Sequence, residues 1–75
     1  MSAIRLVRID PAVNMRRFYL LDVQPNLFGE WAVVTEWGRI GSRGQVRNTP
    51  YPTREAAEIA IGRQRAVKER RGYKR

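Results

Sequence analysis

The 75-residue chain contains neither cysteine nor histidine. The lack of cysteine excludes disulfide bonds and thiolate catalysis, and the lack of histidine removes the imidazole bases. The usual zinc ligands are therefore missing, so we expect no metal and no other cofactor. No apolar run approaches the roughly 20 residues of a membrane-spanning helix, and the N-terminus lacks the apolar core of a signal peptide. We therefore expect a cytoplasmic protein with no membrane partner.

Acidic residues are also scarce, since 7 Asp and Glu face 15 Lys and Arg, for a net charge of +8. The carboxylates are scattered along the chain and form no recognisable acid/base arrangement, so we expect no enzyme activity. The length suits one small domain over residues 1–75, with room for a binding surface but little for a deep catalytic cleft. The positive charge is concentrated towards the C-terminus, with a basic tail from about residue 70, and predicts attraction to polyanions.

The hydrophobic pattern predicts four strands followed by one helix. Apolar and β-favouring residues indicate strands at 4–9, 17–23, 30–37 and 45–49. Pro50 and Pro52 are expected to end strand pairing. Thr53 suits the N-cap and Gly72 the C-terminal cap of a helix with apolar residues at 3.6-residue spacing. We expect an α+β fold, a twisted antiparallel β-sheet of four or more strands with one C-terminal α-helix packed on it.

The loop at 24–29 carries two apolar residues, Leu27 and Phe28. We expect them to tuck beneath the sheet, because an apolar pair in a loop commonly caps a small core. The alternative is an outward contact with a partner. Trp31 is assigned to the core.

The chemistry is concentrated where the third strand ends, at Trp37, Gly38 and Arg39. The glycines that follow allow a tight turn or an anion-binding concavity. Trp37 offers a flat face on which a nucleotide can stack, or alternatively closes the core. Arg39 offers a guanidinium fork suited to phosphate, or alternatively pairs with Glu36.

The run from Trp37 to Gly41, preceded by a strand that contains Trp31, resembles the WGR domain, named for its Trp-Gly-Arg core. Upstream, Asn14 to Tyr19 is similar to the family's asparagine, basic residue and aromatic pair, so the resemblance extends over nearly the whole chain. In the WGR domains of eukaryotic poly(ADP-ribose) polymerases the matching tryptophan stacks at a DNA end, which implies the same role for Trp37. The matching arginine also contacts neighbouring domains there, which implies phosphate or partner binding for Arg39.

The expected function is therefore a nucleic-acid-binding module for DNA ends, nicks or 5′-phosphates, with little sequence specificity and a place at the nucleoid. One alternative is a protein-interaction module that docks an acidic partner or a separate enzyme, and another is RNA binding. The oligomeric state stays open. Tyr73 is expected either to stack or to cap the sheet. The predicted nucleic-acid-binding residues are Trp37, Gly38, Arg39, Arg17, Asn14, Arg16, Arg43, Arg47, Lys68, Arg71 and Tyr73.

Overall fold

The computed structural model describes residues 3–75, so that Met1 and Ser2 lie outside the described part of the chain. Four strands form one antiparallel sheet in the order of the sequence, and a single C-terminal helix packs on one of its faces. The α+β expectation is confirmed. The elements are β1 (Ile4–Asp10), a 3-10 helix (Pro11–Val13), β2 (Met15–Pro25), β3 (Trp31–Arg39), β4 (Gln45–Tyr51) and α1 (Arg54–Arg70).

The two faces of the sheet differ because side chains alternate along each strand. On β2, Tyr19, Leu21 and Val23 are buried on the face that packs against α1, which we call the helix face. The opposite face, which we call the open face, carries the even-numbered residues of the same strand, such as Phe18 and Leu20, and these are only half-buried. Both faces of β2 are apolar, which suits its central position between β1 and β3.

The core lies between the helix face and α1. Leu6, Leu21 and Val33 are almost fully buried there, and Ala57 and Ile61 meet them from α1. Burying one such aliphatic side chain contributes about 2 kcal/mol, so these few residues supply much of what stabilises a domain this small. No helix within residues 3–75 is both long enough and apolar enough to cross a membrane.

The ends of α1 follow the sequence prediction. The Thr53 hydroxyl oxygen accepts a hydrogen bond from the Ala56 N–H at 3.1 Å, which satisfies one free donor of the first turn. Gly72 has φ +98°, a left-handed conformation that suits the residue just after the helix. The chain then turns back towards β1.

All four strands extend beyond their predicted ends. β3 continues through Gly38 and Arg39, so the Trp-Gly-Arg motif lies within a strand rather than after one. β4 continues to Tyr51 and includes Pro50, which pairs opposite Ala32. The prediction that Pro50 ends pairing was wrong, because β4 is an edge strand and its outer side needs no N–H donor. β2 begins at Met15, earlier than expected.

The loop between β2 and β3 corrects a second expectation. Leu27 is 99% exposed and Phe28 is 86% exposed, so neither side chain tucks beneath the sheet. The side-chain oxygen of Asn26 accepts hydrogen bonds from the N–H groups of Phe28 and Glu30, both at 2.9 Å. These bonds hold the loop in a closed turn that directs its apolar pair outwards.

Candidate nucleic-acid interface

Three arginines stand side by side across the sheet on the helix face. Arg8 of β1 pairs directly with Arg17 of β2, and Arg17 pairs directly with Arg39 of β3. Side chains in directly opposite positions of neighbouring strands lie about 5 Å apart at Cβ, so this arginine row spans about 10 Å. Like charges in such positions destabilise a sheet, which makes the row a feature that packing alone does not explain.

Arg8 is a member of this row that the sequence did not single out. Its position depends on the strand register, which pairs it with Arg17, and the residue pattern alone does not give that register. The side chain runs beside the C-terminal turn, since a Cβ added at Gly72 would lie 3.4 Å from the Arg8 Nε. The sequence carried only a weak signal for a binding role of Arg8: like Arg17, it is a charged residue within an otherwise apolar strand.

Trp37 lies next to the arginine row on the helix face, two residues before Arg39 on β3. Its cross-strand neighbour is Tyr19, and the two ring centroids are 6.4 Å apart. On the β4 side the Arg47 guanidinium carbon lies 5.6 Å from the centre of the Trp37 ring, a cation–π distance. Trp37 is half-buried: it packs against the core and also reaches the surface.

Lys68 and Tyr73 close the same end of the core from the C-terminal side. Tyr73 is 8% exposed and meets the Tyr19 ring in an edge-on arrangement with centroids 6.1 Å apart. It therefore caps the sheet, and the alternative of an exposed stacking ring does not fit its burial. Two backbone hydrogen bonds between Lys74 and Val7 fasten this segment to β1. The Lys68 Nζ lies 4.5 Å from the Tyr19 ring centre.

The electrostatics of this region reflect its burial and its crowded positive charge. Desolvation lowers the pKa of the Lys68 ammonium below its ordinary value, and the charges of Arg71 and Arg17 lower it further. Burial raises the pKa of the Tyr19 hydroxyl, and the nearby Arg47 charge opposes that rise. An anion bound here would favour the charged form of Lys68.

A cleft of about 200 Å³ opens between α1 and β3 and β4 beside Trp37. Gln64 contributes a side-chain oxygen that is buried and has no hydrogen-bond partner. A donor that enters the cleft, from a bound molecule, from water or from a neighbouring side chain, can satisfy this acceptor. The cleft is lined by Tyr19, Thr35, Trp37, Arg47, Gln64 and Lys68.

Gly38 has a packing role on the open face. A Cβ at Gly38 would approach the Gly44 Cα to 3.0 Å, and a Cβ at Gly44 would approach the Trp37 carbonyl oxygen to 2.5 Å. Both glycines let the backbone after the motif fold closely back over the Phe18 ring. Gly38 therefore shapes the turn that follows Arg39, and its direct contact with nucleic acid stays a prediction.

Arg39 connects the motif to the loop between β1 and β2. Its Nη1 donates a hydrogen bond of 3.4 Å to the Asn14 carbonyl oxygen. Asn14 has φ 52°, a left-handed conformation that asparagine tolerates better than most residues. Glu36 is on the open face and cannot pair with Arg39, so the predicted alternative of an Arg39–Glu36 ion pair was wrong.

Comparison with known proteins supports the sequence resemblance. The family model described as the WGR domain matches residues 2–75. The chain belongs to the WGR domain family. It is 37% identical over 67 residues to an uncharacterized protein, y4dW, of the bacterium Sinorhizobium fredii, a match that covers 89% of this chain and 33% of that protein. The chain thus spans about a third of the length of the curated relative that it matches. No solved structure matched the chain.

The WGR family is associated with nucleic-acid binding in poly(ADP-ribose) polymerases, and the WGR domain is a binding module. In this WGR domain the structure gathers most of the predicted residues at one end of the helix face. Four predicted residues lie elsewhere: Arg16 and Gly38 are on the open face, opposite Ile9 and Phe18, Arg43 lies exposed in the turn after the motif, and Asn14 lies in the loop between β1 and β2. The residues brought together are Arg17, Trp37, Arg39, Arg47, Lys68, Arg71 and Tyr73.

The cations of this surface form no ion pair within residues 3–75. The salt bridges found there join Arg54 with Glu58 and Arg65 with Glu69, both along the exposed side of α1. Among the described residues, no carboxylate forms a salt bridge with the arginine row, Arg47 or Lys68. The same described residues contain no group of three acidic side chains suited to a metal ion.

Proposed function

We propose that this domain binds nucleic acid, and that it favours DNA ends, nicks or 5′-phosphates over particular sequences. The observation that carries the proposal is the arginine row beside Trp37, three arginines in directly opposite strand positions that form no ion pair within residues 3–75. A phosphate supplies the missing negative charge, and the guanidinium fork binds it with two charge-assisted hydrogen bonds.

The first step of binding is electrostatic. The net charge of +8 concentrates the polyanion near the domain, and its condensed counterions are released as phosphates meet Lys and Arg. Arg17 and Arg39 hold the phosphate, and Arg8 extends the contact surface onto β1. Such contacts position a nucleic acid without reading its bases, which accounts for low sequence specificity.

The second step uses Trp37 as the platform for an exposed terminal nucleotide. Stacking on an aromatic side chain contributes roughly 1 to 3 kcal/mol per base. The Arg47 guanidinium lies 5.6 Å from the ring centre in the free domain, so it either moves aside or follows the ring towards the bound phosphate. An end or a nick exposes a base face that continuous duplex does not, and this gives the preference its physical basis.

Tryptophan fluorescence tests the proposal directly. Trp31 and Trp37 lie on the same face about 20 Å apart along β3, so a Trp31→Phe variant isolates the signal of Trp37. This variant is titrated with a short duplex that carries or lacks a 5′-phosphate, over a series of salt concentrations. Duplex RNA and a polyglutamate peptide serve as comparison ligands. The Trp37→Phe variant is the matched control.

The expected result is quenching of Trp37 that tightens with the 5′-phosphate and weakens steeply with salt. Three phosphate contacts, one for each arginine of the row, predict that the affinity falls about 40-fold between about 50 and 200 mM salt. Equal affinity for the duplexes with and without a 5′-phosphate would refute the 5′-phosphate preference. Tighter binding of the polyglutamate peptide than of either duplex would overturn nucleic-acid binding in favour of an acidic protein partner.

A further inference from the structure

A groove follows the side of α1 that faces β4, and the proposed contacts with a duplex end use only its Trp37 end. Three adjoining hollows of about 200, 260 and 450 Å³ form this groove, and Gln64 lines all three. We call it the edge groove. It runs from Trp37 to Tyr51. Trp37 pairs opposite Gln45, so the two rings are six residues, or about 20 Å, apart along β4.

The walls of the edge groove are basic. Arg47 of β4 and Arg63, Lys68 and Arg71 of α1 line it, and no acidic side chain within residues 3–75 does. The carboxylates that form salt bridges on α1 line none of the three hollows. A polyanion therefore complements the charge of this groove over its whole length.

Aromatic and apolar side chains lie between these cations. Trp37 and Tyr51 pack against the core but are only half-buried, so each ring keeps an exposed part. Ile59 and Val67, on the α1 wall, are 58% and 37% exposed. A basic groove that also offers aromatic rings to stacked bases is the arrangement by which proteins hold a single strand without reading its sequence.

Gln64 favours a single strand over a duplex as the occupant. Its side-chain oxygen is buried where the three hollows meet and has no hydrogen-bond partner. The amino groups of adenine, cytosine and guanine are donors that a duplex uses for base pairing and that a single strand leaves free. Hollows of a few hundred Å³ admit ligand-sized groups, so a base can enter and donate to Gln64 whereas a duplex cannot.

We propose that the edge groove binds a single-stranded DNA overhang that continues from a duplex end held at the arginine row. This inference rests on the proposed function, which places the duplex end. Lys68 connects the two surfaces, since its Nζ lies 4.5 Å from the ring centre of Tyr19, which is two residues from Arg17 on the helix face of β2. About six stacked nucleotides at 3.4 Å each span the 20 Å between the two rings, and a stretched strand needs fewer.

The polarity of the overhang follows from the phosphate contact. When Arg17 and Arg39 hold a 5′-phosphate, the strand that runs on past the duplex end is the complementary one, and it leaves as a 3′ overhang. Trp37 stacks on the last base pair and directs this strand into the edge groove. The preferred ligand is therefore a recessed 5′-phosphate with a 3′ overhang.

Fluorescence anisotropy of labelled duplexes tests the inference. A duplex with a 5′-phosphate and a 3′ overhang of six nucleotides is compared with a blunt duplex that carries the same 5′-phosphate. Stacking on Tyr51 together with the added phosphate contacts should tighten binding at least about tenfold. Three added contacts should steepen the slope of log affinity against log salt by about 2.

Four outcomes would count against the inference. Equal affinity for the blunt and overhang duplexes would overturn it and leave the proposed function standing, whereas no binding of either duplex would refute both. An equal gain from a 5′ overhang of the same length would show that extra phosphates, rather than the edge groove, tighten binding. Tighter binding of an RNA overhang of the same sequence would overturn DNA as the occupant.

Arg63→Gln tests where the overhang lies. Arg63 is exposed in the edge groove, so the substitution leaves the core intact. It should weaken binding of the overhang duplex about tenfold, the cost of one charged contact, and change blunt-duplex binding little. Arg5→Gln is the matched control, because it removes the same charge from an exposed position on the open face, opposite Leu20. Equal effects of the two substitutions on the overhang duplex would show that net charge alone holds the strand.

Discussion

Arg17→Gln removes the central charge of the arginine row and tests whether that row is a binding feature held against a cost in stability. Arg17 has a directly opposite arginine on each side, Arg8 on β1 and Arg39 on β3. Removing it eliminates both like-charge pairs, whereas removing either neighbour eliminates one. The free domain should therefore become more stable while nucleic-acid binding becomes weaker.

The magnitude follows from the cross-strand geometry. A directly opposed like-charge pair destabilises a sheet by roughly 0.2 to 1 kcal/mol, so losing two pairs stabilises the domain by about 1 kcal/mol. In a domain of this size that raises Tm by about 5 °C. Because Arg17 is exposed, the gain should shrink when about 0.5 M salt shortens the screening length. A lost phosphate contact should reduce the affinity for a 5′-phosphorylated duplex by about tenfold or more.

Thermal unfolding by circular dichroism at two salt concentrations measures the first effect, and duplex titration measures the second. The matched control is Arg16→Gln, which removes the same charge from the adjacent residue of β2. Arg16 is exposed on the open face opposite Ile9, so it has no arginine beside it. We expect this control to change Tm little and to leave the slope of log affinity against log salt almost unaltered.

Two results would refute the reasoning. A lower Tm for Arg17→Gln would mean that the arginine row stabilises the free sheet, for example through packing of the long side-chain stems. Equal losses of duplex affinity in Arg17→Gln and Arg16→Gln would mean that only the net charge matters, and that the position of the row on the helix face does not.

Three further predictions concern stability. Gly44→Ala should lower the free energy of unfolding by about 1 to 3 kcal/mol, because its Cβ would meet the Trp37 carbonyl oxygen at 2.5 Å. Gly62→Ala should raise the free energy of unfolding by up to about 1 kcal/mol, because its Cβ would have nothing within 4 Å in a helix that alanine favours. Urea unfolding of both variants measures the contrast, and equal effects would contradict it. Thr53→Ala should destabilise α1 by about 1 kcal/mol through loss of its N-cap bond, and an unchanged urea midpoint would contradict that role. Since the folded state lowers the pKa of Lys68, the unfolded state holds more protons between the lowered pKa and 10.5, so this group makes stability rise with pH in that window. Lys68→Met should abolish the rise well below pH 10.0, where Tyr19 stays protonated in both states.

The sequence determined the element types, because local patterns carry them. Alternation along β2 groups Tyr19 with Leu21 and Val23 on one face, and the helix caps at Thr53 and Gly72 needed only local chemistry. The motif around Trp37 and its charged surroundings also identified the family before any coordinates. Side-chain parity and capping act over a few residues, so a single chain is enough to show them.

Tertiary structure decided which of those residues meet. The register of β1 on β2 brings Arg8 beside Arg17, and a shift of β1 by one residue would turn Arg8 to the open face. The outward direction of Phe28 depends on the Asn26 turn, and the burial of Tyr73 depends on the pairing of Lys74 with Val7 across the whole chain. The strand pairings join residues that are distant in sequence, and they escaped prediction because pairing energy, rather than local preference, selects them.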